Sequence, residues 1–167
     1  MLRLGRMPGE PMKSRNVKIR KANREDLPAI IALLADDPPG RKREEASHPL
    51  PAGYQEAFDE IEDDPGQSLL VAESDGHIVG TLQLSVLPNL TYGGRRRAQV
   101  EGVRIAKSAR GLGIGRALIE EAKTLAMSSG CHMLQLTTNR QRSEAVHFYE
   151  RLGFVDSHHG LKLYLQD

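Results

Sequence analysis

Residues 110–116, RGLGIGR, constrain this chain more than any other stretch, because they join a strand-like run, VEGVRI (100–105), to an amphipathic helical run, ALIEEAKTLAM (117–127). A glycine-rich turn ending at a helix N-terminus is an anion cradle: small residues let the backbone approach, and unpaired N–H groups point at a phosphate. Spacing separates the phosphate loops it could be. A nucleotide P-loop needs Lys-Ser/Thr after its last glycine, and Arg116-Ala117 stands there instead. The dinucleotide fingerprint runs G-x-G-x-x-G, whereas Gly111, Gly113 and Gly115 run G-x-G-x-G. No acidic residue closes the next strand-like run, MLQLT (133–137), which is followed by Thr138 and Asn139. Taken alone, the glycines also suit a tight strand-to-helix turn that binds nothing.

A second pattern lies downstream. Arg110, Gly113 and Gly115 form R-x-x-G-x-G, and Asn139, Ala145, Tyr149, Gly153 and Phe154 form N-x5-A-x3-Y-x3-G-F. In this order the two motifs resemble the GNAT superfamily of acyl-CoA-dependent N-acetyltransferases. The resemblance covers roughly residues 17–165, with the diagnostic positions confined to 97–155. It implies that Arg110, Gly111, Leu112, Gly113, Ile114, Gly115 and Arg116 hold the pyrophosphate of coenzyme A. It further implies that the backbone of Val103, Arg104 and Ile105 pairs with the pantetheine arm, and that Asn139 hydrogen-bonds the same arm. The implied reaction moves an acetyl group from acetyl-CoA directly to a primary amine of a small molecule. An acyl-CoA-binding sensor without turnover, or an acetyltransferase acting on proteins, is the competing reading.

Acetyl transfer needs a neutral amine and a protonated leaving thiolate. An alkylamine with a pKa of about 10 is charged at neutral pH, so a base is required. Glu101, two residues before Val103, is the candidate base, and pairing with a nearby arginine is its plain alternative. Tyr149 matches the family tyrosine that acts as general acid at the sulfur; without that motif, its place between Phe148 and Leu152 would read as core. Retention of both residues favours the enzyme over the sensor. Lys107 is a weaker candidate for the adenosine phosphate. Cys131 has no histidine–carboxylate grouping to activate it and reads as a small buried hydrophobe. The six histidines show no metal spacing, so no metal is expected.

Bulk properties agree with this reading. At 167 residues the chain fits one domain, expected over 17–167 after a disordered leader at 1–16. A single cysteine rules out an internal disulfide framework, and a cytoplasmic location is expected. No apolar run reaches the ~20 residues that span a membrane. Arg95, Arg96, Arg97, Arg104, Lys107, Arg110 and Arg116 outnumber Glu101 around the cradle, where they would attract a polyanion. Nucleic acid is a poor alternative, since net charge is only +1 and aromatic residues for base stacking are 4%.

The fold class expected is α/β (α+β): a twisted, mixed but mostly antiparallel sheet, with helices on both faces and strands 4 and 5 splayed. Strands are expected at 17–20, 68–73, 77–87, 95–105 and 133–137, and a closing hairpin at 154–166 turning at His159-Gly160. Helices are expected at 23–37, 54–64, 117–127 and 143–152. Strict alternation along the fourth strand would set Glu101, Val103 and Ile105 on one face, with Gly102 and Arg104 on the other. The acceptor is expected between the first helices and the turn at 88–94, where Leu90 and Tyr92 line either that site or a homodimer contact. The acids of 56–64 read first as a solvated helix face and second as a lure for a cationic substrate.

Overall fold

The computed structural model describes residues 17–36, 43–139 and 141–165. The expected leader at 1–16 therefore lies outside the described residues. Five strands form one sheet in chain order: β1 (Val17–Lys21), β2 (Gln67–Ser74), β3 (His77–Leu87), β4 (Arg96–Ile105) and β5 (Cys131–Leu136). Neighbours are antiparallel except β4 and β5, which run parallel. Parallel neighbours need a crossover, and α4 (Ile114–Ser128) supplies it.

The remaining helices are α1 (Leu27–Ala35), α2 (Ala52–Asp63), the single turn α3 (Thr91–Gly94) and α5 (Ser143–Glu150). Asn23 starts the first helical segment with a capping box: its side chain accepts from the Asp26 N–H, and the Asp26 carboxylate accepts from the Asn23 N–H. The segment begins as a 3-10 turn at Arg24–Asp26 and becomes α1 at Leu27, beside Pro28.

Alternation along the strands builds two apolar layers. Leu70, Ala72, Leu82, Leu84, Ala98 and Val100 pack against Ile114, Leu118, Ile119, Ala122 and Ala126 of α4. Val71, at 0% exposure between Leu70 and Ala72, points to the opposite face, where α1 and α2 contribute Ile30, Ile31 and Phe58. Helices thus cover both faces, as expected.

Two expectations fail. Residues 154–165 contain neither strand nor helix, so the closing hairpin does not form among the described residues. The strand alternation expected across 101–105 is also broken. Thr81 pairs with Arg104 but Gln83 pairs with Glu101, so two steps on β3 face three on β4. The extra residue is a β-bulge at Gly102, whose φ of +62° suits glycine alone at low cost.

Candidate active site

The bulge decides which face each residue of β4 presents. Val100 is buried on the α4 side, so alternation sends Glu101 to the α1 side. Gly102 also faces α1, since a Cβ built there would lie 3.8 Å from Leu34 Cδ2. Beyond the bulge the parity is reset, and Val103 and Ile105 return to the α4 core. Glu101 therefore lies on the opposite face from Val103 and Ile105, because an unpaired residue intervenes. Glu101 is exposed and makes no hydrogen bond or ion pair, to an arginine or otherwise, among the described residues.

Pairing between β4 and β5 ends at Val100 and Leu136. From Glu101 to Ile105, β4 continues with no strand of the described residues on its outer edge, which leaves a row of backbone groups available to a strand-like ligand. The side chain of Arg104 turns back onto this row, and its Nη1 donates to the Val103 carbonyl at 2.8 Å.

The glycine loop follows at once. Ala106 is fastened to β3 by its N–H to the Val79 carbonyl at 2.8 Å, and Arg110 Nε reaches the Ile105 carbonyl at 3.4 Å. Gly113 caps α4 in the left-handed region, with φ +79°. The first helical hydrogen bond runs from Ala117 N–H to Gly113 carbonyl at 3.0 Å, so the N–H groups of Ile114, Gly115 and Arg116 precede it without a helical partner. Residues 110–113 are exposed, and a Cβ at Gly111 or Gly113 would meet nothing within 4 Å. The loop is thus an open nest of N–H groups at a helix N-terminus, and it fits a pyrophosphate. Arg116 is exposed beside it. Lys107 instead pairs with Asp36 at 2.9 Å, tying the loop to the end of α1.

The start of α4, the end of β4 and α5 meet at one point: a Cβ at Gly115 would lie 3.2 Å from Phe148 Cζ and 3.7 Å from Ile105 Cγ1. Next to Phe148 on α5, Tyr149 is half-buried and packs edge-on against Phe148 at 5.1 Å and Phe154 at 5.6 Å between ring centres. Phe154 reaches that position because the chain reverses at Gly153, where Phe154 N–H bonds the Tyr149 carbonyl at 3.1 Å. Burial raises the Tyr149 phenol pKa, and the positive charges of Arg104 and Arg142 oppose that rise. Asn139 lies in the turn after β5, where its Oδ1 accepts from Gln141 N–H at 2.9 Å. Its side-chain oxygen thus organises the turn.

The site assembles the glycine loop, the free edge of β4 and Tyr149, with Glu101 on the other face of the same strand. The turn at 88–94 is not part of it. That turn precedes Arg96 while the loop follows Ile105, and ten extended residues separate them by about 33 Å. A shallow depression of about 330 Å³ there, lined by Pro88, Asn89, Leu90, Gly94 and Arg96, belongs to the far end of the sheet. Of the two boundaries expected for the acceptor, α1 lies beside the face that Glu101 presents, with Leu34 Cδ2 3.8 Å from a Cβ built at Gly102. Burial also raises the Cys131 thiol pKa, consistent with an unreactive thiol. Two contributors were missed in the sequence. The glycine inside strand 100–105 signals a bulge, and Arg142 has no signal beyond its place before α5.

The family model described as the acetyltransferase (GNAT) family matches residues 27–154. A crystal structure described as a transcriptional regulator from Bacillus halodurans C-125 is 49% identical, with TM-score 0.88, over 90% of this chain and 100% of that one. An acetyltransferase structure from Trypanosoma brucei is 28% identical, with TM-score 0.74, over 90% of this chain and 100% of that one. Among curated proteins, the glucosamine 6-phosphate N-acetyltransferase of Trypanosoma brucei brucei is 38% identical over 79 residues, 47% of this chain and 52% of that enzyme. The chain thus spans about half the length of that curated relative. With the family match covering both motifs and the strands β2 to β5, the chain belongs to the acetyltransferase (GNAT) family.

Proposed function

We propose that the chain transfers an acetyl group from acetyl-CoA directly to a primary amine of a small molecule. The observation that carries this reading is the continuity between the unpaired edge of β4 and the open N–H nest at Gly113. A pantetheine arm laid along Glu101–Ile105 like an added strand would deliver its pyrophosphate to that nest. Arg110, Gly111, Leu112, Gly113, Ile114, Gly115 and Arg116 would hold the phosphates, and Val103, Arg104 and Ile105 would pair with the arm. Asn139, with its side-chain NH2 free of partners among the described residues, would donate to it.

In the reaction the amine nitrogen attacks the thioester carbonyl carbon, a C–N bond forms, and the C–S bond breaks. Glu101 takes a proton from the ammonium, directly or through water, Tyr149 gives a proton to the departing thiolate, and the second proton shed by the acetylated nitrogen returns to Tyr149. Because these side chains sit on opposite faces of β4, the amine and the thiol approach the strand from opposite sides. A buried neutral phenol keeps its proton at neutral pH, which suits the acid. A small amine is favoured as acceptor because the 38%-identical relative is named for glucosamine 6-phosphate.

The second reading, an acyl-CoA sensor without turnover, draws on the 49%-identical structure described as a transcriptional regulator. One experiment separates the two. Thermal melts with coenzyme A at ~100 times its dissociation constant should show about 2.7 kcal/mol of stabilisation under either reading. Release of free thiol from acetyl-CoA across a panel of small amines and lysine peptides then decides. Acceleration by a small amine supports the enzyme, stabilisation without turnover supports the sensor, and a melt moved by NAD or ATP but not coenzyme A overturns both.

A further inference from the structure

We propose that a row of amide and hydroxyl side chains beside Glu101 selects the acceptor, and that the acceptor is an amine carrying neighbouring hydroxyl groups. The inference rests on the acetyl-transfer reading above and names the substrate class of that same site. Leu70 of β2, Leu82 and Leu84 of β3, Val100 of β4 and Leu134 and Leu136 of β5 all pack on the α4 side. Alternation therefore turns Gln67, Gln83, Ser85, Gln99 and Gln135 to the opposite face, the one that Glu101 presents. Register then aligns them. Gln67 stands opposite Ser85, Ser85 opposite Gln99, and Gln99 opposite Gln135, one line across four strands, while Gln83 stands opposite Glu101.

The same sheet face is apolar at Val71, where α1 and α2 supply Ile30, Ile31 and Phe58. At the row it turns polar, and the side chains hold one another. Ser85 Oγ and Gln83 Nε2 both donate to Gln67 Oε1, at 2.7 and 3.1 Å, and Gln135 Nε2 donates to Gln99 Oε1 at 2.8 Å. The four glutamines are only half-buried, and each keeps amide capacity for a molecule lying on them. A hydroxyl both donates and accepts, which suits this mixture of N–H and C=O groups. Neighbouring strands are about 4.8 Å apart and alternate residues of one strand about 7 Å apart, so an amine held at Glu101 would place hydroxyls one sugar ring away over Gln83 and Gln99. An apolar amine would leave these amides covered and unpaired, and a site built to bond hydroxyls rejects the analogue that lacks them. A second ammonium fares no better. Arg97 lies on the same face two residues before Gln99, its Nε buried without a hydrogen-bond partner, and its charge would repel a cation.

Release of free thiol from acetyl-CoA by the full chain tests this, with a panel of amino sugars and aminocyclitols set against cyclohexylamine and spermidine, each rate referred to the neutral amine present. The best hydroxylated amine should exceed the other two in kcat/KM by about tenfold or more. Gln99→Leu, and separately Gln135→Leu, should cut that preference by about tenfold while coenzyme A titration stays unchanged. If a leucine variant does not melt cooperatively, Gln99→Asn, which keeps the amide and shortens its reach, is read instead and should cut the preference by a smaller factor. Equal or better turnover of cyclohexylamine or spermidine overturns the proposal and leaves the transfer reading standing. So does turnover of lysine peptides alone, or a loss in the variants that is the same for every amine. Coenzyme A binding with no amine turned over overturns the transfer reading itself, and the proposal with it.

Discussion

Phe148 occupies the space that a side chain at Gly115 would need: an added Cβ would lie 3.2 Å from its ring carbon Cζ. The helix that opens at the phosphate nest and the helix that carries Tyr149 therefore touch through an absent methyl group. The loop and Tyr149 are held in register by this contact.

Gly115→Ala tests that register. Alanine in a helix gains about 0.5–1 kcal/mol over glycine, but overpacking a filled contact costs about 1–3 kcal/mol. The second effect should win, leaving a net loss of about 1 kcal/mol and a melting temperature lower by about 3 °C. Turnover should fall as the Phe148 ring pushes its neighbour Tyr149. Adding Phe148→Leu should recover part of both losses, and a double-mutant cycle with no coupling would show that the contact carries nothing.

Tyr149→Phe keeps the ring contacts with Phe148 and Phe154 and removes only the hydroxyl. The Michaelis constant for acetyl-CoA should hold while kcat falls by roughly 10²-fold, within the range of general acid catalysis. Since burial raises the phenol pKa, the wild-type acid stays protonated through neutral pH and fails only above the ordinary tyrosine value of about 10. The variant should lack that alkaline limb. An unchanged kcat, with chemistry shown to limit the rate, would remove Tyr149 from the mechanism.

Asp26 links stability to pH. It is 7% exposed, accepts from Arg20 at 2.6 and 3.0 Å, and accepts from the Asn23 N–H at 2.8 Å. Bonding to Arg20, with help from Asn23, lowers its carboxyl pKa against the opposing effect of burial. A lowered folded value means the native state releases this proton more readily than the unfolded chain. The stabilisation is therefore complete above the unfolded value of about 3.9 and is lost as pH falls through the folded value beneath it. Asp26→Asn should cost about 2 kcal/mol at neutral pH. Urea unfolding from neutral pH into the acid range should then show a shallower acid loss in the variant than in wild type.

Local features were legible in the sequence and distant pairings were not. The glycine turn at 111–115 and the helical segment expected from 23 each depend on residues within a few positions of one another, and each stands where expected. The β4 bulge depends on register with β3, so Glu101 could not be assigned a face from its own strand. Lys107 finds Asp36 at a separation of 71 residues, which no local pattern announces. The closing hairpin expected at 154–166 is the plainest failure: a strand needs a partner to pair with as well as apolar residues, and the described residues 154–165 form none.

Glu101→Gln separates the base from a positioning role. The amide keeps the shape of the side chain but cannot accept the ammonium proton, so the rate should fall most near neutral pH, by about 10²-fold. Raising the pH toward the acceptor's own pKa supplies neutral amine from solution and should restore part of the loss. Because alternation from Val100 aims Glu101 toward α1, while the bulge at Gly102 returns Val103 and Ile105 to the α4 face, coenzyme A affinity should be unaffected. The measurement is a pH–rate profile of wild type and variant with one active amine, alongside coenzyme A titration of each. A loss that is uniform across pH, or one that tracks weakened cofactor binding, would mean that Glu101 organises the strand and that the proton leaves by another route.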